Sequence, residues 1–266
     1  MMIGVRAHDY GEQPVEELFS AISGDGWKSV QLAFPKAVSG VDSFDDVTPE
    51  ILSRTKASLQ NTGISAAVLG VYVDPSLTDE DQRKKQAGFL FRSLPQAAAL
   101  NAGCVGTETT MRGSHSDISA LYRSLEELLP EAERLGVNLG IEPVHIHTLH
   151  TPELARDMLR SFPSPSLKII FDPINLLTLE AIDAQNDLWS RCIDCFGEYI
   201  VAVHIKGALG RADSNGMLAD APFSSSVVDY EFLFKLLHPL GVPVLREGAT
   251  HEGAAADIAF LNGLVP

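Results

Sequence analysis

"LGIEPVHIHTLHT", residues 139–151, joins a short apolar run to one acid, Glu142, and three imidazoles, His145, His147 and His150. An apolar run of this length bounded by polar residues reads as a buried strand. The Thr151-Pro152-Glu153 that follows reads as a helix start, with a threonine cap, a proline at the first helical position and an acid in the first turn. The stretch is therefore one strand-to-helix unit with polar chemistry at the turn. Whether the fold is a barrel depends on how often that unit recurs.

Outward from this stretch, the same pattern repeats in both directions. Strands are expected at "MIGVR" (2–6), "SVQLAF" (29–34), "ISAAVLGVYV" (64–73), "CVGTET" (104–109), "VNLGIE" (137–142), "LKIIFD" (167–172), "IVAVHIK" (200–206) and "VPVLRE" (242–247). Helical patterns fill the gaps at 14–23, 48–61, 79–101, 117–135, 152–161, 184–196, 229–237 and about 252–261. Alternating strands and helices predict a parallel sheet, and eight strands close a barrel. The fold class expected is α/β, a (β/α)8 TIM barrel forming a single domain over residues 1–266. An open doubly wound sheet would carry a glycine-rich turn after its first strand, and "RAHDYGEQ" (6–13) has none. The segment "GALGRADSNGMLADAPFSSSV" (207–227) is expected to be an irregular loop or lid.

Bulk properties narrow the function. A formal charge of −15 gives no electrostatic basis for binding nucleic acid or anionic membranes. No stretch approaches the roughly 18–20 apolar residues of a membrane span, and the first residues lack a signal-peptide pattern, so the chain reads as soluble and cytoplasmic. Three cysteines, Cys104, Cys192 and Cys195, suit a reducing compartment. The "CIDC" at 192–195 falls in a helical pattern and has no second pair with which to form a zinc site.

In a barrel of this kind the chemistry lies where the strands end. Strand one ends in Arg6 and His8, strand three in Tyr72 and Asp74, strand four in Glu108, strand five in Glu142, strand six in Asp172, strand seven in His204 and Lys206, and strand eight in Glu247. Acids and a histidine gathered from four successive strands are costly to bury without a cation. Carboxylates plus one imidazole suit Mn²⁺, Mg²⁺, Co²⁺ or Zn²⁺. Lys206 shares a strand face with His204 and reads either as a group that polarises a substrate carbonyl or holds a carboxylate or phosphate, or as an ammonium paired to a neighbouring acid. Arg211, in the 207–227 segment, reads either as a substrate contact or as a solvated arginine. Glu108 reads as an extra acid or as the ion-pair partner of Arg6 or Arg112, and His8 as a site residue or a structural histidine. His145 is expected at the pocket entrance, whereas His147 and His150 are expected to be helix-entry and loop residues. Phe34 and Tyr72 are the aromatic residues nearest the rim.

"GIEPVHIHT" (140–148), "IIFDPINLL" (169–177), "VHIKG" (203–207) and "LREG" (245–248), with "GVRAHD" (4–9) and "VGTET" (105–109), resemble the xylose isomerase-like barrel superfamily of sugar and sugar-phosphate isomerases and epimerases. The resemblance covers essentially the whole chain. It implies that Glu142, Asp172, His204 and Glu247 are metal ligands, that Glu142 and Glu247 exchange protons with the substrate, and that barrels pair into dimers or tetramers. It also has two departures: epimerases tend to carry a histidine where this chain has Asn175, and many relatives carry an aspartate where it has Gly207.

The activity so implied is a divalent-metal-dependent isomerase or epimerase of a small sugar or sugar phosphate. It would abstract a proton next to a carbonyl through an enediolate, with His8, Glu108, His145, Asn175, Lys206 and Arg211 as substrate contacts. The alternatives are dehydration of a keto-inositol or related sugar, and a sugar-binding barrel without catalysis. Phosphodiester cleavage of the endonuclease IV kind wants three metals, many more histidines and a basic face, which a chain at −15 does not offer.

Overall fold

Strand formation follows the runs of Val, Ile, Leu and Ala, whose side chains pack well on a pleated surface. The computed structural model describes residues 1–264, so the last two residues of the expected 1–266 domain lie outside it. Its strands are β1 (Ile3–Arg6), β2 (Ser29–Leu32), β3 (Ser65–Gly70), β4 (Cys104–Glu108), β5 (Leu139–Glu142), β6 (Leu167–Phe171), β7 (Ile200–Ile205), β8 (Gly207–Ala212), β9 (Leu218–Ala221) and β10 (Val244–Arg246). Eight of them close a barrel in the order β1-β10-β7-β6-β5-β4-β3-β2. Every pairing in that ring is parallel. The molecule is a single TIM barrel domain.

The surrounding helices are α1 (Val15–Gly24), α2 (Phe34–Ala37), α3 (Pro49–Thr62), α4 (Glu80–Leu100), α5 (Ile118–Leu135), α6 (Pro152–Ser161), α7 (Gln185–Phe196), α8 (Tyr230–Leu237) and α9 (Ala254–Gly263). Their starts are chemically marked: Thr48, Asp79, Asp117, Thr151 and Asp229 each accept a hydrogen bond from a backbone N–H of the first turn. Helix α5 stops at Gly136, whose φ of 65° an L side chain rarely adopts. No helix of the described residues is long and apolar enough to cross a membrane. Cys104, Cys192 and Cys195 are all free thiols.

Two apolar bodies build the core. The larger lies between strands and helices, and includes Phe19, Trp27, Phe171 and Trp189. The smaller fills the barrel and is made of Ala67, Val68, Cys104, Ile170, Ala202 and Leu245. Ile170 takes the space that glycines leave on two neighbouring strands. A Cβ on Gly106 would come within 2.5 Å of Ile170, and one on Gly140 within 2.9 Å.

Two expectations need correction. The 207–227 segment is an antiparallel hairpin, β8 with β9, followed by a short 3₁₀ turn. Its turn carries Asn215-Gly216, with Gly216 at φ 84°, and Asp213 Oδ1 accepts from the N–H groups of Asn215 and Met217. Asn-Gly is a hairpin signal, but the flanking glycines and alanines lack the β-branched residues that announce a strand. Phe34, expected near the rim, opens α2 instead and is fully buried in the core.

Candidate active site and metal centre

The inward face of each barrel strand recurs every second residue. Two residues above the apolar filling at Gly106, Gly140, Ile170, Ala202 and Leu245 come Glu108, Glu142, Asp172, His204 and Glu247. The charged rim is thus the next layer of the same inward columns. Glu142, Asp172 and His204 are buried and present ligand atoms that all lie within 4.8 Å of one another. The Glu247 carboxylate adjoins this group, with Oε1 3.2 Å from His204 Nδ1 and Oε2 3.1 Å from Lys206 Nζ.

Each member of the group has one side occupied by the protein and another turned inward. His204 Nε2 lies 2.6 Å from Gln31 Oε1, and Gln31 Nε2 donates to the Tyr72 hydroxyl, so the imidazole proton belongs on Nε2 and Nδ1 is left for a ligand. Asp172 Oδ1 accepts from the N–H groups of Ile174 and Asn175. Glu142 Oε1 accepts from Asn175 Nδ2 at 2.6 Å, and its Oε2 lies 3.1 Å from His204 Nδ1. Asp172 Oδ2 and His204 Nδ1 are both buried and lack a well-directed hydrogen-bond partner. Buried polar atoms are rarely left in that state without an ion or a water to claim them. The donor set, its convergence and these two unclaimed atoms fit a divalent cation.

The electrostatics agree. Burial alone would lower the His204 pKa, yet Glu142 and Glu247 outweigh it and hold the imidazole at about 9. Burial lifts Asp172 to about 6 against the pull of Lys206. Glu247 is held well below the usual carboxylate range, because Lys206, His204 and Arg6 outweigh its burial. The Lys206 ammonium donates to Asn175 Oδ1 at 2.6 Å and to Glu247 at 3.1 Å, and lies 3.2 Å from Asp172 Oδ2. Of the two readings of Lys206, the contacts show the ammonium paired to neighbouring acids, at the edge of the cluster.

The remaining expected contacts divide. Asn175 bridges Lys206 and Glu142. Glu108 ends β4 directly opposite Glu142, and its pKa is pushed up to about 8 by burial and by the charges of Glu142 and Glu247. Neither Arg6 nor Arg112 pairs with it among the described residues; the His147 imidazole, whose pKa burial lowers, lies 3.6 Å away. His147, expected as a helix-entry or loop residue, thus sits against a rim acid. His145 bridges two segments, with one ring nitrogen 3.0 Å from the Asn175 carbonyl and the other 3.1 Å from that of Gly216 on the hairpin turn. His150 contacts only the Thr148 carbonyl among the described residues. His8 packs edge-on against Tyr72, and burial with Arg6 nearby lowers its pKa to about 4. Arg211 is exposed on β8 and is not brought to the cluster.

Gln31 and Lys36 carry no expectation from the sequence, and Arg6 meets Glu247 where Glu108 was the expected partner. Gln31 orients His204, and the signal was a glutamine inside an otherwise apolar strand. Arg6 lies 3.4 Å from Glu247 and is held by Asp9, which also accepts from the N–H groups of Gly248 and Ala249. Lys36 lies over the Tyr72 ring at 3.4 Å. Gly207 has a steric explanation: a Cβ there would lie 2.2 Å from the Ala221 carbonyl oxygen, so the hairpin admits only glycine.

The family model described as "Xylose isomerase-like TIM barrel" matches residues 19–263. No curated protein matches the chain in sequence. Among solved structures, 3-keto-D-glucoside 4-epimerase YcjR from E. coli, in its apo form, superposes with a TM-score of 0.75 at 18% identity, covering 99% of each chain. A D-tagatose 3-epimerase-like protein superposes with a TM-score of 0.78 at 15% identity, covering 99% of this chain and 97% of its own. A xylose isomerase-like TIM barrel protein from Mycobacterium smegmatis, in complex with magnesium, gives 0.75 at 15% identity, covering 99% and 96%. At such identities the likeness is one of fold.

Proposed function

The chain belongs to the xylose isomerase-like TIM barrel family, and from that premise we propose that it is a divalent-metal-dependent isomerase or epimerase of a small carbohydrate. The observation that carries this reading is the convergence of Glu142, Asp172 and His204, with Asp172 Oδ2 and His204 Nδ1 unclaimed by any well-directed hydrogen bond. Glu142, Asp172, His204 and Glu247 would hold the ion, and Mn²⁺, Mg²⁺, Co²⁺ or Zn²⁺ all suit that set. When bound, the ion would supply Lewis acidity toward a substrate carbonyl. The sugar epimerases among the structural neighbours support a carbohydrate substrate.

The protein's own residues then handle the protons. In the barrel order β10-β7-β6-β5, Glu247 and Glu142 approach from strands separated by two others. Carboxylates on two sides of one carbon can remove a proton from one face and return it to the other, which is epimerisation; return to the neighbouring carbon is isomerisation. Lys206 and Arg6 keep Glu247 ionised and so able to accept a proton, while lowering its basicity. Asn175 tethers Glu142, so the second carboxylate has a defined orientation. The free thiols fit a reducing compartment, and a cytoplasmic location is part of the same reading. The dimer or tetramer implied by the resemblance is read by light scattering.

The test is metal analysis of the purified protein, followed by incubation with Mn²⁺ and a panel of ketoses in D₂O. Deuterium on a carbon next to the carbonyl is the expected result, and no exchange across the panel overturns the proposal. Dehydration is the second reading, and Glu108 favours it: burial raises the pKa of this carboxyl beside Glu142, and in its protonated form it could give its proton to a departing hydroxyl. A product lighter by one water would select it.

A further inference from the structure

Beside the acid cluster, between the β8–β9 hairpin and the start of α9, lies a cavity of about 440 Å³ whose lining includes Lys206, Asp220, Arg246, Glu247, Thr250 and Asp257. Lys206 and Glu247 belong to both spaces, so whatever fills the cavity can be joined to a substrate at the cluster. The volume falls in the range of about 300–1,000 Å³ typical of small-molecule sites.

Arg246 is the unexplained group. Leu245 points into the barrel, so Arg246, one residue on, points outward toward the helices. Its side chain is only 8% exposed, its guanidinium lies 4.5 Å over the Phe223 ring, and its Nε donates to Asp257 Oδ2 at 2.8 Å. Stacking and that one bond fix the plane of the group. Nη1 and Nη2 meet no hydrogen-bond acceptor among the described residues. The stem of Arg246 is buried while Nη1 and Nη2 remain open to the cavity, so the guanidinium can donate to a ligand there.

Charge decides which ligand. The cavity holds two cations, Lys206 and Arg246, against three carboxylates, Asp220, Glu247 and Asp257. Lys206 is already paired with Glu247, and Arg246 with Asp257. Asp220 remains, exposed and without an ion-pair partner among the described residues. A phosphate would face that carboxylate with no cation to spare. Neighbouring hydroxyls suit the wall better, because they accept from Nη1 and Nη2 and donate to Asp220, while the Thr250 hydroxyl can do either. We propose that this cavity is a subsite for an uncharged polyhydroxylated group, a second sugar ring, so that the substrate is a glycoside or disaccharide carrying its reacting carbon at the acid cluster. The inference rests on the isomerase or epimerase reading of that cluster and names its substrate class.

The test is calorimetric binding to the Mn²⁺-loaded protein of fructose, fructose 6-phosphate and the glucosyl-fructoses linked through O3, O5 and O6. At least one disaccharide is expected to bind tenfold or more tightly than fructose. Arg246→Met, which keeps the stem and removes the donors, is expected to erase at least tenfold of that preference. Thr250→Phe fills the cavity from an exposed loop position, is expected to do the same, and decides the matter if Arg246→Met does not fold. The inference is overturned if no disaccharide outbinds fructose, if both variants leave the preference intact, or if fructose 6-phosphate is the ligand that depends on Arg246. Failure of the underlying reading shows in a different measurement, the absence of deuterium from every sugar, while the affinities still rank the ligands.

Discussion

Two layers of the barrel interior, one step apart on the same strands, have opposite chemistry. The lower layer is dry: Val68, Cys104, Ile170, Ala202 and Leu245 interlock, and Ile170 occupies the room left by Gly106 and Gly140. The upper layer, two residues further along, holds Glu108, Glu142, Asp172, His204 and Glu247. The difference teaches that the floor does more than hold the barrel together. It closes the site from below, so that solvent reaches the carboxylates from the mouth side, and the lowered dielectric makes each charge felt by its neighbours. That is why Asp172 and Glu108 sit above the usual carboxylate range while Glu247, with three cations beside it, sits below.

The comparison can be broken most severely from above. Glu142→Gln and Glu247→Gln each keep the shape of the upper layer and remove a base; each is expected to slow deuterium exchange into the substrate about 10²–10⁴-fold, with unchanged circular dichroism. The floor is tested by Gly106→Ala, whose methyl would lie 2.5 Å from Ile170 Cδ1 and from Val68 Cγ1. Overpacking of this kind is expected to cost about 1–3 kcal/mol, read as a lower urea midpoint with an unchanged m-value. Shortening the obstructing side chain with Ile170→Val in the same chain should return part of the loss.

Smaller effects sharpen the boundary between the layers. Gln31→Leu frees His204 Nε2 from its acceptor, and metal affinity is expected to fall about 10–100-fold while the barrel stays folded, as measured by competition with a chelating dye. The pH dependence of metal binding has a definite sign. In the metal-free protein His204 keeps its proton up to about pH 9, and Nδ1 can bind a metal only after losing it. Manganese affinity is therefore expected to rise by about tenfold per pH unit from neutrality toward pH 9 and then level off. Below about pH 6 protonation of Asp172 should steepen the dependence. A pH-independent affinity would show that another nitrogen, or none, binds the ion.

Much of the site was legible because it obeys a local rule. A strand shows every second residue to the same face, so an acid at the end of each of "VNLGIE" and "LKIIFD" had to lie above that strand's inward residue, whatever the rest of the chain did. Helix starts were legible for a similar reason: Thr151 and Asp117 cap the N–H group three residues on. The hairpin was not recognised, since Gly207 and its neighbours have no propensity signal and pair through a close backbone approach. Nor could the partner of Glu108 be found from sequence, because His147 reaches it from the loop after the next strand.

By itself, then, the sequence determined the alternation of elements, the inward columns and the acids and histidine that crown them, since each depends on backbone geometry over a few residues. Only the tertiary structure decided that Gln31 orients His204 across 173 positions of chain, that Arg6 at the end of the first strand, itself held by Asp9, meets Glu247 just past the last, and that Arg246 faces a cavity. Those contacts come into being when the ring of strands closes. Closure is a property of the whole packed barrel, so no short stretch of sequence encodes it.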